Sequence, residues 1–213
     1  MSRIVYNNRA EWLEGRKGTL GASDVASVMG CGFKTPLELW KEKCGMVTPK
    51  DLSDDERVQF GNDAEFAMRE LHKVMNPQYE LQFTPYEIYT SDDESLGHLS
   101  CTPDGILVEK ETGRRGVYEC KTTTCISKAD YEAWNGKIPQ GYFCQLCTQM
   151  LVTGGQYGNL FALLRNADGD ATIRTYHFER EDCEWYIEEI IEKTRTFWEK
   201  VQTKQIPSIK LSL

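Results

Sequence analysis

At 213 residues, with 40% apolar and 27% charged side chains, the chain has the size and balance of one globular domain with a sizeable core, which excludes a low-complexity protein. No run approaches the roughly 18 apolar residues of a membrane span, and the start, Met1 to Arg9, lacks the apolar centre of a signal peptide, so no membrane partner and a cytoplasmic setting are expected. The net charge of −8 argues against a broad basic face for gripping nucleic acid, although carboxylates gathered for cations and a local basic track are compatible with an acidic exterior.

With no internal repeat or linker, residues 1–213 read as a single domain. Gly21-Ala-Ser23-Asp24 ahead of Val25, Ala26, Val28 and Met29 predicts a short helix capped by Ser23 or Asp24 and stopped at Gly30. Thr35-Pro36 opens a second helix, Leu37 to Lys43, with Gly45 just past its end. Ser53-Asp-Asp-Glu56 has the form of a capping box for a third, whose apolar positions are Phe60, Ala64, Ala67, Met68 and Leu71.

The period then changes. Tyr79, Leu81 and Phe83 alternate with polar residues, as in a half-buried strand. Gly105–Glu109 and Gly116–Lys121 flank a turn-rich segment and predict a hairpin. Residues 140–153 read as a helix ended by Gly154-Gly155, and 157–165 and 171–178 as a strand pair around a turn at 166–170. From about 179 to 204 the chain is amphipathic, with Tyr186, Ile187, Ile190, Ile191, Phe197, Trp198 and Val201 on the apolar side. Helices, a central mixed β-sheet and further helices predict an α/β (α+β) sandwich. The eight cysteines (31, 44, 101, 120, 125, 144, 147 and 183) include one C-x-x-C pair, Cys144 and Cys147, and no zinc-site spacing, so buried structural thiols are expected.

The segment that carries chemistry is Thr102-Pro-Asp104-Gly followed by Glu119-Cys-Lys121. On a strand, Glu119 and Lys121 project from one face and Cys120 from the other, while the hairpin brings Asp104 alongside. Two carboxylates and an ammonium at one sheet end suit phosphodiester hydrolysis. Hard oxygen ligands select Mg²⁺, which keeps several waters, and one or two such ions polarise the phosphate and activate water. Lys121 would hold or deprotonate the attacking water, or stabilise developing negative charge. A lone D…E-x-K string on an exposed strand is common by chance, so its company decides.

That company is Gly15-Arg16 through Ser23-Asp24, Phe60-Gly-Asn-Asp-Ala-Glu65, Cys101-Thr-Pro-Asp104-Gly, Tyr118-Glu119-Cys-Lys121 and Tyr142-Phe-Cys-Gln145 through Gly154. In this order, from about residue 12 to 163, the blocks resemble the phage lambda exonuclease and YqaJ-type viral recombinase family, a branch of the PD-(D/E)xK nucleases with a restriction-endonuclease-like core. The resemblance implies a Mg²⁺-dependent exonuclease that digests one strand of linear duplex DNA from a 5′-phosphate end. It implies 5′-mononucleotide products, a 3′ single strand left for an annealing protein, and a homotrimeric ring in a bacterial or phage-infected cell.

It further implies Asp104, Glu119 and the Cys120 carbonyl as ligands of two Mg²⁺ ions, replaceable by Mn²⁺, with Glu65 as an additional acid nearby. Lys121 is the implied catalytic lysine and Gln145 the helix glutamine facing the site. Arg16 and Ser23 are implied for the 5′-phosphate, with Thr102 and Lys34 as further contacts and Val58 as a strand-separating wedge. A helix N-terminus at Ser23 would favour an anion, and Arg16 can bind phosphate in bidentate fashion. Against these stand a plain N-cap for Ser23, a solvated charge for Arg16 and an exposed helical glutamate for Glu65. Rival functions are another PD-(D/E)xK nuclease, either an endonuclease or a Cas4-like iron–sulfur exonuclease, and a DNA-end-binding module that never cuts.

Overall fold

The computed structural model describes residues 1–166 and 168–207; Ala167, inside the expected turn at 166–170, and the last six residues of the expected domain lie outside them. Its centre is a five-stranded mixed sheet in the order β3-β6-β7-β8-β9, built from Tyr79–Gln82, Gly105–Glu109, Arg115–Thr124, Tyr157–Arg165 and Ala171–Glu179. β3, β6 and β7 run antiparallel, and so do β8 and β9. β7 and β8 pair in parallel through nine residue pairs, from Gly116↔Tyr157 to Thr124↔Arg165. A parallel pair needs a long crossover, supplied by α5 (Lys128–Glu132) and α6 (Gln140–Thr153). That crossover lays α6 across the face of β7 that carries Glu119.

The two faces of this sheet carry different cores. On one, Val117 packs with Leu146, Met150 and Val152 of α6, with Val25 and Ala26 of α2 (Ala22–Val28), and with Ile187, Ile190 and Phe197 of α7 (Arg180–Gln202). On the other, Tyr118, Cys120 and Phe161 pack with Met68 of α4 (Glu56–Met75). Close approach is set by absent side chains: a Cβ on Gly158 would lie 2.7 Å from Leu146 Cγ, and one on Gly141 2.7 Å from the Cys31 carbonyl oxygen. Among the described residues all eight cysteines are free thiols, six of them buried and Cys31 and Cys44 half-buried.

A second, four-stranded sheet in the order β1-β4-β5-β2 was not foreseen; it comprises Ser2–Val5, Glu87–Thr90, Leu99–Cys101 and Leu20–Gly21. Its strands are two to four residues long, too short to display a period. Two helices are also new: α1 (Arg9–Gly15), capped by Asn8, and α5. α3 (Pro36–Lys43) keeps the expected limits, with Thr35 as its cap.

Local details differ from expectation in three places. α2 is capped by Gly21, so Ser23 and Asp24 sit inside the first turn, where the Asp24 carboxylate accepts the Gly21 N–H at 3.1 Å. α4 starts from Asp55, whose carboxylate accepts the Arg57 N–H at 2.9 Å, with no capping box from Ser53. The buried stripe of α4 is Met68, Arg69 and His72, while Ala67 and Leu71 face outward. The face that α4 turns toward the sheet thus carries Arg69 and His72 beside Met68, not all of its apolar residues.

His72 is fully buried between Tyr79, Tyr118 and Phe161, and neither ring nitrogen has a hydrogen-bond partner among the described residues. Burial depresses its pKa to about 4. The folded chain therefore holds His72 neutral, and this contribution to stability is complete above the unfolded pKa near 6.5 and lost as pH falls toward 4. His72→Phe keeps the ring and removes two unpaired nitrogens. Urea titrations at pH 7 and pH 4 are expected to show the wild type losing on the order of 2 kcal/mol more than His72→Phe over that interval; parallel losses would contradict the assignment.

Candidate active site

β7 delivers the two residues whose spacing placed them on one face. Glu119 is only 1% exposed, so its charge depends on protein donors rather than water. Its Oε1 accepts Lys121 Nζ and Gln145 Nε2, each at 2.5 Å, and its Oε2 accepts Gln149 Nε2 at 2.6 Å. Gln145 and Gln149 lie one turn apart on α6 and both reach down to the strand, as i, i+4 neighbours do. Lys121 continues upward until its ammonium lies 5.5 Å from the centre of the Tyr142 ring.

Asp104 precedes β6, and its Oδ2 accepts the Cys120 N–H at 2.8 Å. Amide and carbonyl of one strand residue point to the same edge, so the Cys120 carbonyl also faces the Asp104 side. The Cys120 thiol points to the opposite face, into the core with Met68 and Phe161. From α4, Glu65 approaches the group while bonded to Arg69 at 3.4 Å, and the Arg69 guanidinium lies 3.7 Å from the Phe83 ring centre.

These charges perturb one another. Burial and then the Asp104 charge push Glu119 up to about 7, against the pull of Lys121 and Gln149. Asp104 is raised by burial and by Glu65, opposed by Lys121 and the Cys120 amide. Glu65 is raised too, by burial with a smaller push from Glu119. Burial pulls Lys121 down, but Glu119 and Asp104 outweigh it and the net shift is upward. The site is a crowded cluster of carboxyl groups, each raised by burial and by its acidic neighbours, around an amine whose proton those groups hold.

Asp104, Glu119, Lys121, Gln145 and Glu65 are thus brought together. Arg16 and Ser23 stand apart from this cluster. Arg16 follows α1 and stacks on Trp12, 4.5 Å from guanidinium carbon to ring centre. Burial lowers its pKa, partly offset by Asp24. Lys43, at 2.8 Å, is the cation that takes the Asp24 carboxylate, and among the described residues Arg16 has no ion pair. Ser23 is exposed and lines a cavity of about 310 Å³ together with Gln145, Tyr142 and Thr123. Thr102 is half-buried two residues before Asp104. Lys34 is occupied by Glu42 at 2.5 Å, and Val58 is exposed on the first turn of α4.

Sequence reasoning missed Gln149 and Arg69. The four-residue offsets from Gln145 and from Glu65 were the available signals, since each pair shares a helix face.

A model of the YqaJ-like viral recombinase domain matches residues 11–156. The uncharacterized protein YqaJ of Bacillus subtilis (strain 168) is 29% identical over 211 residues, which is 95% of this chain and 59% of that protein. The chain thus spans about three-fifths of the length of that curated relative. An alkaline exonuclease, LHK-Exo, from Laribacter hongkongensis superposes with a TM-score of 0.69 at 20% identity, covering 92% of this chain and 94% of the other. A phage-related exonuclease from Haemophilus somnus 129PT gives 0.57 at 11% identity, covering 87% and 96%.

Carboxylate crowding makes a prediction about stability. Asp104→Asn retains an oxygen for the Cys120 N–H and removes one of the mutually repelling charges. A raised carboxyl pKa means that ionisation opposes folding, so the gain appears as pH rises above the unfolded value and is absent in acid. The variant is expected to melt a few degrees above wild type at pH 8, corresponding to roughly 1 kcal/mol for a chain of this size. At pH 4 the two should melt together, and a pH 8 melting point at or below wild type would contradict the electrostatic account.

Proposed function

The chain belongs to the family of YqaJ-like viral recombinase domains, and from that premise we propose that it hydrolyses DNA as a metal-dependent exonuclease. In this reading it digests one strand of linear duplex from a 5′-phosphorylated end, releases 5′-mononucleotides and leaves a 3′ single strand for an annealing protein. The observation that carries the proposal is the convergence of Asp104, Glu119 and Lys121 midway along β7, where its pairing with β6 ends at Tyr118, beside a cavity that continues to Ser23. The fold shared with an alkaline exonuclease and a phage-related exonuclease supports it, and LHK-Exo has been crystallised with dAMP, a 5′-mononucleotide.

The donor set fits a hard divalent cation. No three His, Cys, Asp or Glu side chains among the described residues close into a cage, and Mg²⁺ asks for less, typically one or two carboxylates and water. Asp104 and Glu119 with the Cys120 carbonyl would hold it, Glu65 lying on the flank, and the raised carboxyl pKa values mark unmet positive charge there. When bound, one or two Mg²⁺ or Mn²⁺ ions supply Lewis acidity toward phosphate and water.

The protein's own groups divide the remaining work. Gln145 and Gln149 fix the Glu119 carboxylate, so its orientation does not depend on solvent. Lys121, held as an ammonium, steadies the attacking water and the negative charge that develops on the phosphate. Arg16, desolvated and in no ion pair among the described residues, takes the terminal 5′-phosphate in bidentate fashion. Ser23 and Thr102 add hydroxyl contacts, while Lys34 contributes only by leaving Glu42. Val58 parts the strands at the start of α4. A homotrimeric ring in the cytoplasm would retain DNA with few basic contacts, which reconciles a net charge of −8 with the substrate. No helix among the described residues is long and apolar enough to cross a membrane.

A duplex labelled separately at each end, digested with Mg²⁺ or with chelator and sized, tests nuclease action, polarity and product together. Early release of the 5′ label as mononucleotide with the 3′ label retained on long products, and only with Mg²⁺, is expected; nicking of closed circles would point to an endonuclease, and binding without release to an end-binding module. Lys121→Ala should lower the rate by a factor on the order of 10²–10³. Arg16→Ala is expected to slow 5′-phosphorylated ends at least tenfold more than 5′-hydroxyl ends. Equal slowing of both would remove the phosphate assignment.

A further inference from the structure

Phe33 is 97% exposed, although the backbone on its N-terminal side is tightly held. Gly30 ends α2 in the left-handed region with φ of +79°. The Cys31 N–H returns to the Ala26 carbonyl at 2.9 Å, and the Cys31 carbonyl packs on α6 where Gly141 has no side chain. Gly32 lies so close to Ser27 that a Cβ would fall 2.4 Å from its Oγ and 2.5 Å from its amide nitrogen. Beyond Phe33, Lys34 is tied to Glu42. A segment pinned at so many points holds a large aromatic ring in open water, where its apolar surface is unfavourably hydrated.

Phe33 stands on the rim of the cavity of about 310 Å³, whose other walls include Tyr142, Trp134, Thr123 and Thr124. The cavity meets Ser23 at one point and Gln145, the partner of Glu119, at another. Tyr142 leans on Trp134 with ring centres 5.5 Å apart and has the Lys121 ammonium 5.5 Å from its own. An occupant would therefore reach from Ser23 to Gln145, which bonds Glu119.

We propose that this cavity seats the sugar and base of the terminal 5′ nucleotide, with Phe33 stacking on the base; the proposal rests on the exonuclease reading above. Aromatic and aliphatic walls with two threonine hydroxyls suit the face of any base rather than the edge pattern of one, and stacking of this kind is sequence-tolerant. A preorganised ring also loses little freedom when the base arrives.

The test uses a hairpin duplex with one 5′-phosphorylated end whose terminal nucleotide is either deoxyadenosine or an abasic tetrahydrofuran analogue. Affinity is read by fluorescence anisotropy with chelator present, so no hydrolysis occurs. Wild type should bind the base-bearing end about tenfold more tightly, within the range of one base–aromatic stack. Phe33→Ala should bring the ratio close to one, and Phe33→Trp should restore it. Because Phe33 supports no core, thermal melts of both variants should match wild type. Equal binding of the two ends by wild type, or an unchanged ratio in Phe33→Ala, would overturn the seat while Mg²⁺-dependent digestion left the exonuclease reading intact. A Phe33→Ala chain with an altered association state and an unchanged ratio would overturn it in favour of a contact between copies. Absence of both end binding and digestion would remove the two proposals together.

Discussion

A carboxylate with almost no access to water has to be solvated by the protein, and around Glu119 three side chains do this. Lys121 comes from its own strand, Gln145 and Gln149 from the helix that crosses above. Burying an ion without such partners would cost several kcal/mol, so the placement of α6 over β7 is a condition for Glu119 to exist as a charged group. The parallel pairing of β7 and β8 forces a crossover, the crossover contains α6, and the absence of side chains at Gly141 and Gly158 lets α6 settle at the required distance.

The clamp is incomplete by design of its charges. Asp104 and Glu65 add two further acids, against which stand Lys121 and, through Glu65, Arg69. The result is a site in which hydrogen bonds orient Glu119 while neighbouring carboxyls crowd it, a crowding that opposes folding when the carboxyls ionise.

The surroundings divide into regions with separate tasks. Behind the site, the cluster of His72, Tyr118 and Phe161 is dry and carries several unpaired polar atoms, a cost the aromatic packing offsets. In front, the cavity bounded by Tyr142 and Phe33 is open. Arg16 lies near Gly21, at the base of α2, stacked on Trp12, while Lys43 takes the Asp24 carboxylate.

Much of this was legible in the chain itself. The two-residue period put Glu119 and Lys121 on one face, the hairpin put Asp104 beside them, and the limits of α6 followed from a glycine pair at 154–155, because period and turn chemistry are local properties. The short strands of the second sheet were not legible, since two to four residues cannot show a period. Nor was the buried stripe of α4, where tertiary contact favoured Arg69 and His72 over Leu71. That Gln149 bonds Glu119, and that Phe33 projects over a cavity instead of into a core, was decided by how distant segments pack. Sequence spacing determines which side chains share a face, but only the assembled sheet and helices determine what that face meets.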